Sequence, residues 1–347
     1  MNVPNTNFLY PSPIVMATAF APGKCILFGE HAVVYGHPAV AVAIDAGVEV
    51  KLDFSDEWGI KNSYYANEYM KYQEDKNPHI RHIINDVFDY DGPPLRINIE
   101  SDLFSAAGLG SSAALSNAMG AALHKLTKPE EKIDRIELAK IGHSAEASAQ
   151  SGRASPTDSA ASSLGGCVVV SGEKNEDWEH VFDTSLMTPE GERKWSIHSI
   201  DLHEKISNSW LVLGFTGEAS PTGDMVSGVA SRLKENPELY AEMKAIENIT
   251  KAGLKALELG SLEAVGIAMN SCHEKLKILG VSTPALDNMV SMTRQHSFGS
   301  KLTGAGGGGC MVALTNNPER VAQEIEICGG KPLISKFGSK GAHLREN

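Results

Sequence analysis

Ser105-Ala106-Ala107-Gly108-Leu109-Gly110-Ser111-Ser112-Ala113-Ala114 joins two segments of different period. Before it, Leu95, Ile97 and Ile99 alternate with Arg96 and Asn98, the pattern of a strand. After it, Ala113, Ala114, Leu115, Ala118, Met119, Ala122 and Leu123 recur at helical spacing. A glycine turn that opens a helix is a place to hold phosphate. Glycine lets the backbone approach the ligand, the first helical N–H groups lack intrahelical partners, and the helix dipole is positive there. Ser111 and Ser112 add hydroxyls that suit a phosphate oxygen or Mg²⁺. Read alone, the same run is equally a helix start with serine caps. It is neither G-x-x-x-x-G-K-[ST], since no lysine precedes the serines, nor G-x-G-x-x-G.

Two further segments decide between these readings. One is Ala21-Pro22-Gly23-Lys24-Cys25-Ile26-Leu27-Phe28-Gly29-Glu30-His31-Ala32-Val33-Val34-Tyr35-Gly36, and the other is Lys301-Leu302-Thr303-Gly304-Ala305-Gly306-Gly307-Gly308-Gly309-Cys310-Met311-Val312-Ala313-Leu314. With residues 105–114 between them, they resemble the three signature motifs of the GHMP kinases, in order. In detail the match is to the mevalonate kinase family of archaeal type. It rests on Gly29–Gly36 and on Gly152-Arg153-Ala154-Ser155-Pro156-Thr157-Asp158-Ser159, followed by Gly165-Gly166, and the resemblance spans roughly residues 16–340.

Composition agrees with such an enzyme. A chain of 347 residues suits two domains around a shared cleft. Its net charge of −12 disfavours a nucleic-acid partner and requires local positive groups to meet an anionic substrate. Apolar runs are broken well short of a membrane span, so no membrane association is expected. The five cysteines, Cys25, Cys167, Cys272, Cys310 and Cys328, form no C-x-x-C pair and read as buried thiols of a cytoplasmic protein. Residues 1–15 read as a loose N-terminal extension, neither signal peptide nor anchor.

Strands mixed with helices in blocks, without a βαβ repeat, predict an α+β fold. The resemblance makes it the two-domain GHMP kinase fold, with an N-terminal domain over 16–198, a C-terminal domain over 199–347 and the active site in the cleft between them. Helices are expected around 79–90, 133–151, 223–233, 236–258, 262–277 and 317–328. The charged stretch 172–197 reads as an insertion or inter-domain passage, and the chain end as a polar tail. Tyr64, Tyr65, Tyr69 and Tyr72 read as surface packing, with a nucleotide pocket as the alternative.

The resemblance also assigns roles. Residues Ser105, Ala106, Ala107, Gly108, Leu109, Gly110, Ser111, Ser112, Ala113 and Ala114 would bind ATP. Ser112 and Glu146 would hold Mg²⁺, although Glu146 lies twelve residues before Asp158, one more than is usual, which implies an inserted residue near Ser151. Asp158 would accept the proton of the substrate hydroxyl, with Lys24 beside it to keep it ionised and to meet the transferring phosphoryl. As a plain residue, Asp158 could instead cap a helix starting at Ser159. Glu30, His31, Asp158 and Thr222 would contact the acceptor, mevalonate, and the glycine run 304–309 would support the site from the second domain.

Two residues depart from the pattern. Phe104 stands where proline is expected. Ala106 stands where the first glycine is expected, and alanine does not adopt positive φ cheaply, which predicts a displaced loop start. The resulting expectation is ATP-dependent phosphorylation of mevalonate to 5-phosphomevalonate by a homodimer. Its rivals are a GHMP kinase acting on phosphomevalonate, homoserine or a sugar, the related diphosphomevalonate decarboxylase, and a sensor of the same fold without turnover.

Overall fold

The apolar run Ala39–Ile44 and the alternating Val48–Leu52 merge into one long strand in the computed structural model, which describes residues 16–65, 67–150, 152, 154–188 and 191–346. The extension expected at 1–15 and the insertion expected near Ser151 lie outside these residues. β1 (Met16–Phe28) runs antiparallel along one edge of β2 (Ala39–Phe54), from Met16 opposite Asp53 to Phe28 opposite Val40. The rest of the first unit adds β3 (Gly59–Asn62), β4 (Met70–Lys71), β5 (Leu95–Ser101), β6 (Cys167–Ser171), β7 (Glu179–Thr188) and β8 (Gly191–Ser199). The other edge of β2 is shared end to end, with Ala39–Val42 on β6 and Val48–Phe54 on β5. Among the described residues the sheet has nine strands, all pairs antiparallel except β3 with β5.

Stretch 172–197 is therefore no passage between domains. Its second half pairs with β6 as β8, and β7 closes the edge of the sheet. The alternation of Phe182, Trp195 and Ile197 buries one face of this hairpin, a signal hidden in the sequence by the surrounding charge.

Helices cover one face of the sheet. α1 (Pro78–Arg81) continues as a wider π-helical turn over His82–Val87, where a regular helix was expected. α2 (Ser111–Thr127), α3 (Arg135–Ala149) and α4 (Thr157–Leu164) follow. α2 is buried almost all round, between β1 and β2 on one side and α3 and α4 on the other. Small residues make that possible: a Cβ on Gly120 would stand 3.3 Å from Ile141 and from Leu138.

The second unit begins with α5 (Glu204–Ser207) and β9 (Trp210–Phe215), and continues through α6 (Thr222–Glu235), α7 (Tyr240–Leu259), α8 (Leu262–Ile278) and α9 (Pro284–Thr293). β10 (Gly299–Thr303), β11 (Cys310–Thr315), α10 (Pro318–Ile327) and β12 (Lys331–Lys336) complete it, with sheet order β10-β11-β9-β12. The helix ends follow local chemistry. Ser261, Thr283 and Asn317 accept from backbone N–H groups at the starts of α8, α9 and α10, and Gly260 ends α7 at φ 70°.

The end of the chain is not a free tail. Lys340 bridges to Gly165, and β13 (His343–Leu344) pairs with Ala19 and Phe20 of β1, so the last residues return to the first unit across the expected boundary. Gly341 packs so tightly on Ser163 that a Cβ there would lie 2.2 Å from its carbonyl oxygen.

Candidate active site

The glycine turn at 105–112 is held in place by Gly23 and Lys24 of β1. Lys24 N–H donates to Leu109 O at 2.9 Å, and a Cβ on Gly23 would collide with that same oxygen at 2.9 Å and with the Leu103 side chain at 2.6 Å. A register shift of β1 against β2 falls between Pro22 and Lys24 and re-aims the lysine. Its ammonium then donates to Gly108 O at 2.8 Å and pairs with Asp158 Oδ1 at 3.2 Å. Gly108 and Gly110 take positive φ, 78° and 72°, as a tight turn into α2 requires. Ala106 does so too, at φ 53°. The alanine takes the left-handed state expected of a glycine, a backbone state that costs of order 1–3 kcal/mol and that the surrounding contacts must hold.

Asp158 does not cap a helix, because α4 begins at Thr157 after Pro156 and the aspartate sits in its first turn. Asn117 of α2 fixes this turn by donating to Ser159 O at 3.0 Å. A third of the Asp158 side chain is open to the cleft, while Lys24 is almost wholly buried. Burial raises the Asp158 carboxyl above the usual aspartate range, against the opposing pull of Lys24.

A cavity of about 620 Å³ opens in front of this pair. Residues 104–112, Glu146, Ser155, Asp158 and Thr222 form its wall, so most of the candidate residues, from three distant parts of the chain, meet here. Ala113 and Ala114 lie behind the wall, fully buried. At the other end stand Asn62, Tyr64 and Tyr65 with Val48, Ile99 and Leu115. Tyr64 and Tyr65 thus line the pocket, contrary to their reading as surface packing, whereas Tyr72 packs on Trp58, away from it.

Glu146 carries an orphaned atom. Its Oε2 accepts from Gln150 at 2.8 Å, but Oε1 is buried without a hydrogen-bond partner. His79 Nε2 stands 3.2 Å from it without the alignment of a hydrogen bond. Burial raises the Glu146 carboxyl, yet His79, Ser112 and the charge of Lys24 outweigh that and hold it below the usual glutamate range. An ionised carboxylate with one oxygen that accepts no hydrogen bond, beside a serine hydroxyl, fits a hard cation such as Mg²⁺, which takes few protein ligands and completes its shell with phosphate and water. His79 gave no signal in the sequence, because only the docking of α1 on α3 brings it here.

The third motif turns back onto the first. Thr303 Oγ1 accepts from Ile26 N–H at 2.8 Å and donates to Ile26 O at 2.9 Å, and Gly304 lies against Gly108. This closeness explains a run of glycines that composition alone could read as a linker. Glu30 and His31 belong to this seam and not to the cavity wall. Glu30 is 1% exposed, its carboxylate pairs with the fully buried Lys301, and Cys272 lies beside it. The expected contact between Glu30 and the acceptor is therefore replaced by an internal ion pair. His31, at φ 60°, donates from Nε2 to Ala305 O at 2.9 Å, and burial lowers its pKa. Cys25, Cys167 and Cys272 are buried thiols whose pKa is pushed up to about 12 by that burial, so none is a nucleophile.

Comparison with known proteins agrees with this geometry. The GHMP kinases N terminal domain matches residues 78–166, which hold the glycine turn at 105–112 and Asp158, and the GHMP kinases C terminal domain matches residues 254–331, which hold the glycine run. The chain is 34% identical to the mevalonate kinase of Pyrococcus furiosus, over 94% of this chain and 98% of that one. It is 33% identical to the mevalonate kinase of Methanothermobacter thermautotrophicus, over 86% and 89%. The solved mevalonate kinase of Methanococcus jannaschii superposes with a TM-score of 0.74 at 27% identity, covering 93% of this chain and 98% of that one. The chain belongs to the GHMP kinases, and within them to the mevalonate kinase family.

Proposed function

We propose that this chain transfers the γ-phosphoryl group of ATP to the primary hydroxyl of (R)-mevalonate, giving 5-phosphomevalonate for isoprenoid synthesis. The observation that carries the reading is the Lys24–Asp158 pair, 3.2 Å apart, set against the glycine turn that opens α2. The family relationship supplies the acceptor.

Backbone N–H groups of 105–112 receive the phosphates, and the nucleoside extends toward Asn62, Tyr64 and Tyr65. The acceptor lies between Asp158 and Thr222, with His31 fixing the segment behind Lys24. Asp158 takes the hydroxyl proton as the oxygen bonds to the γ-phosphorus, the bond to the bridging oxygen breaks, and ADP leaves. Lys24 favours the ionised aspartate and meets charge on the transferring group. Ser112 and Glu146 would hold Mg²⁺, which when bound neutralises phosphate charge. The enzyme is read as cytoplasmic and homodimeric; among the described residues no helix is long and apolar enough to cross a membrane.

The test is a coupled ADP-release assay with mevalonate, phosphomevalonate, homoserine and galactose. Mevalonate should give the highest kcat/KM by about 10²-fold or more, since a site of buried polar groups rejects acceptors that leave them unpaired. A higher value for any other acceptor overturns the assignment.

Glu146→Gln should raise the Mg²⁺ concentration for half-maximal rate by on the order of tenfold, because it removes the charge but keeps the shape. Ser112→Ala should act in the same direction with a smaller shift. An unchanged Mg²⁺ dependence of Glu146→Gln would remove that residue from the metal site.

A further inference from the structure

Phe104 opens the phosphate loop and Phe215 ends β9 in the second unit. Their rings stack with centroids 5.1 Å apart and planes 15° from parallel. The two partners differ in rigidity. Phe215 is pinned through its backbone on both sides, opposite Cys310 of β11 and Lys331 of β12. Phe104 lies in no strand or helix, two residues before the strained Ala106. Just beyond Phe215, the segment 216–220 grips the same loop. Ser220 N–H donates to Ala106 O at 2.9 Å, and Thr216 N–H and Oγ1 both donate to Gly309 O at 3.0 Å. Gly309 in turn lies so close to the loop that a Cβ would stand 2.9 Å from Ala107 O. Two residues after this segment, Thr222 forms part of the cavity wall on the acceptor side.

From these contacts we propose that the Phe104–Phe215 stack is a positioning contact that couples nucleotide binding to acceptor binding. It ties the start of the ATP loop to the segment that carries Thr222, so that ordering either side orders the other. The stack holds Ala106 in its left-handed conformation from outside, where a local turn residue would hold it from within. On this proposal the contact acts through the loop and the segment that carries Thr222, not on the Lys24–Asp158 pair itself. The inference rests on residues 105–112 being the nucleotide loop, and the experiment separates the two.

The probe is a non-hydrolysable ATP analogue, titrated calorimetrically into the full chain with and without saturating mevalonate. Variants are Phe104→Leu, Phe215→Leu, the double variant and Phe104→Tyr, with thermal melting in parallel. Each leucine variant should weaken analogue binding about threefold to tenfold, the range an aromatic pair supports. The double variant should be no weaker than about twofold beyond the worse single, because both remove one contact. Mevalonate should tighten analogue binding in the wild type and in Phe104→Tyr, and this enhancement should shrink toward one in the leucine variants. In steady state KM for ATP should rise more than kcat falls. Single effects that multiply in the double variant, an enhancement that survives in the leucine variants, or lower melting points with unchanged affinity would each overturn the coupling. A wild-type chain that binds no analogue overturns the assignment of the loop itself, and the coupling with it.

Discussion

Asp158→Asn is expected to lower kcat by about 10²–10⁴-fold while the protein stays folded and still binds nucleotide, since a positioned proton acceptor contributes on that scale. The aspartate sits in the first turn of α4, held from below by Asn117 on Ser159 O, and these contacts do not use its carboxylate. The pH profile gives a second readout. Only the ionised carboxylate accepts a proton, so kcat should fall as pH falls through the Asp158 pKa. Burial raises that pKa and Lys24 opposes the rise, so the acid limb should lie above the ordinary aspartate range. Lys24→Met removes the opposing charge and should move the limb to still higher pH, besides slowing turnover. Rapid-quench measurement of kcat from pH 4 to 8 checks both. An Asp158→Asn variant within a few-fold of wild type would assign proton transfer elsewhere.

Lys301→Met should be among the most destabilising single changes in the chain. It leaves Glu30, 1% exposed, without its partner, and breaking a buried ion pair typically costs about 3–5 kcal/mol. The cost should depend on pH with a definite sign. Burial already raises the Glu30 carboxyl, and Lys301 is the main group opposing it. With the lysine gone, the folded state keeps Glu30 protonated while the unfolded state ionises it. The folded state then binds more protons, so stability falls as pH rises above the ordinary glutamate range, by about 1.4 kcal/mol per unit. Denaturant unfolding should show Lys301→Met much closer to wild type at pH 5 than at pH 8. Adding Glu30→Leu removes the stranded charge and should recover most of the loss at pH 8. Losses that simply add in the double variant would mean that Glu30 and Lys301 act independently.

These two residues mark the division between what could be read and what could not. The turn at 108–112 was legible because its chemistry is local, and Lys24 and Asp158 were picked out by the motifs that resemble those of the GHMP kinases. Glycines supply positive φ, a helix start leaves N–H groups unpaired, and a strand-to-helix change of period fixes where that start lies. Most helices fell within a few residues of expectation for the same reason, since spacing and caps are written within one or two turns. The α+β class and the buried state of four of the five cysteines were equally accessible.

Tertiary structure decided the rest. The resemblance placed Glu30 at the acceptor together with His31, but its side chain pairs with Lys301, 271 positions away. His79 came to Glu146, Tyr64 and Tyr65 came to the pocket, and Phe104 met Phe215 only through the docking of separate elements. The end of the chain became β13 because β1 offered Ala19 and Phe20 as partners, something no polar tail reveals in itself. Local sequence by itself determined the turns and most of the helices, because those depend on neighbours within a few residues, while the roles expected of Lys24 and Asp158 came from the motifs they share with the GHMP kinases. Which side chains face one another across the sheet and between the two units depends on register and docking. A shift of one residue would send each strand side chain to the opposite face, so those pairings exist only once the whole chain has folded.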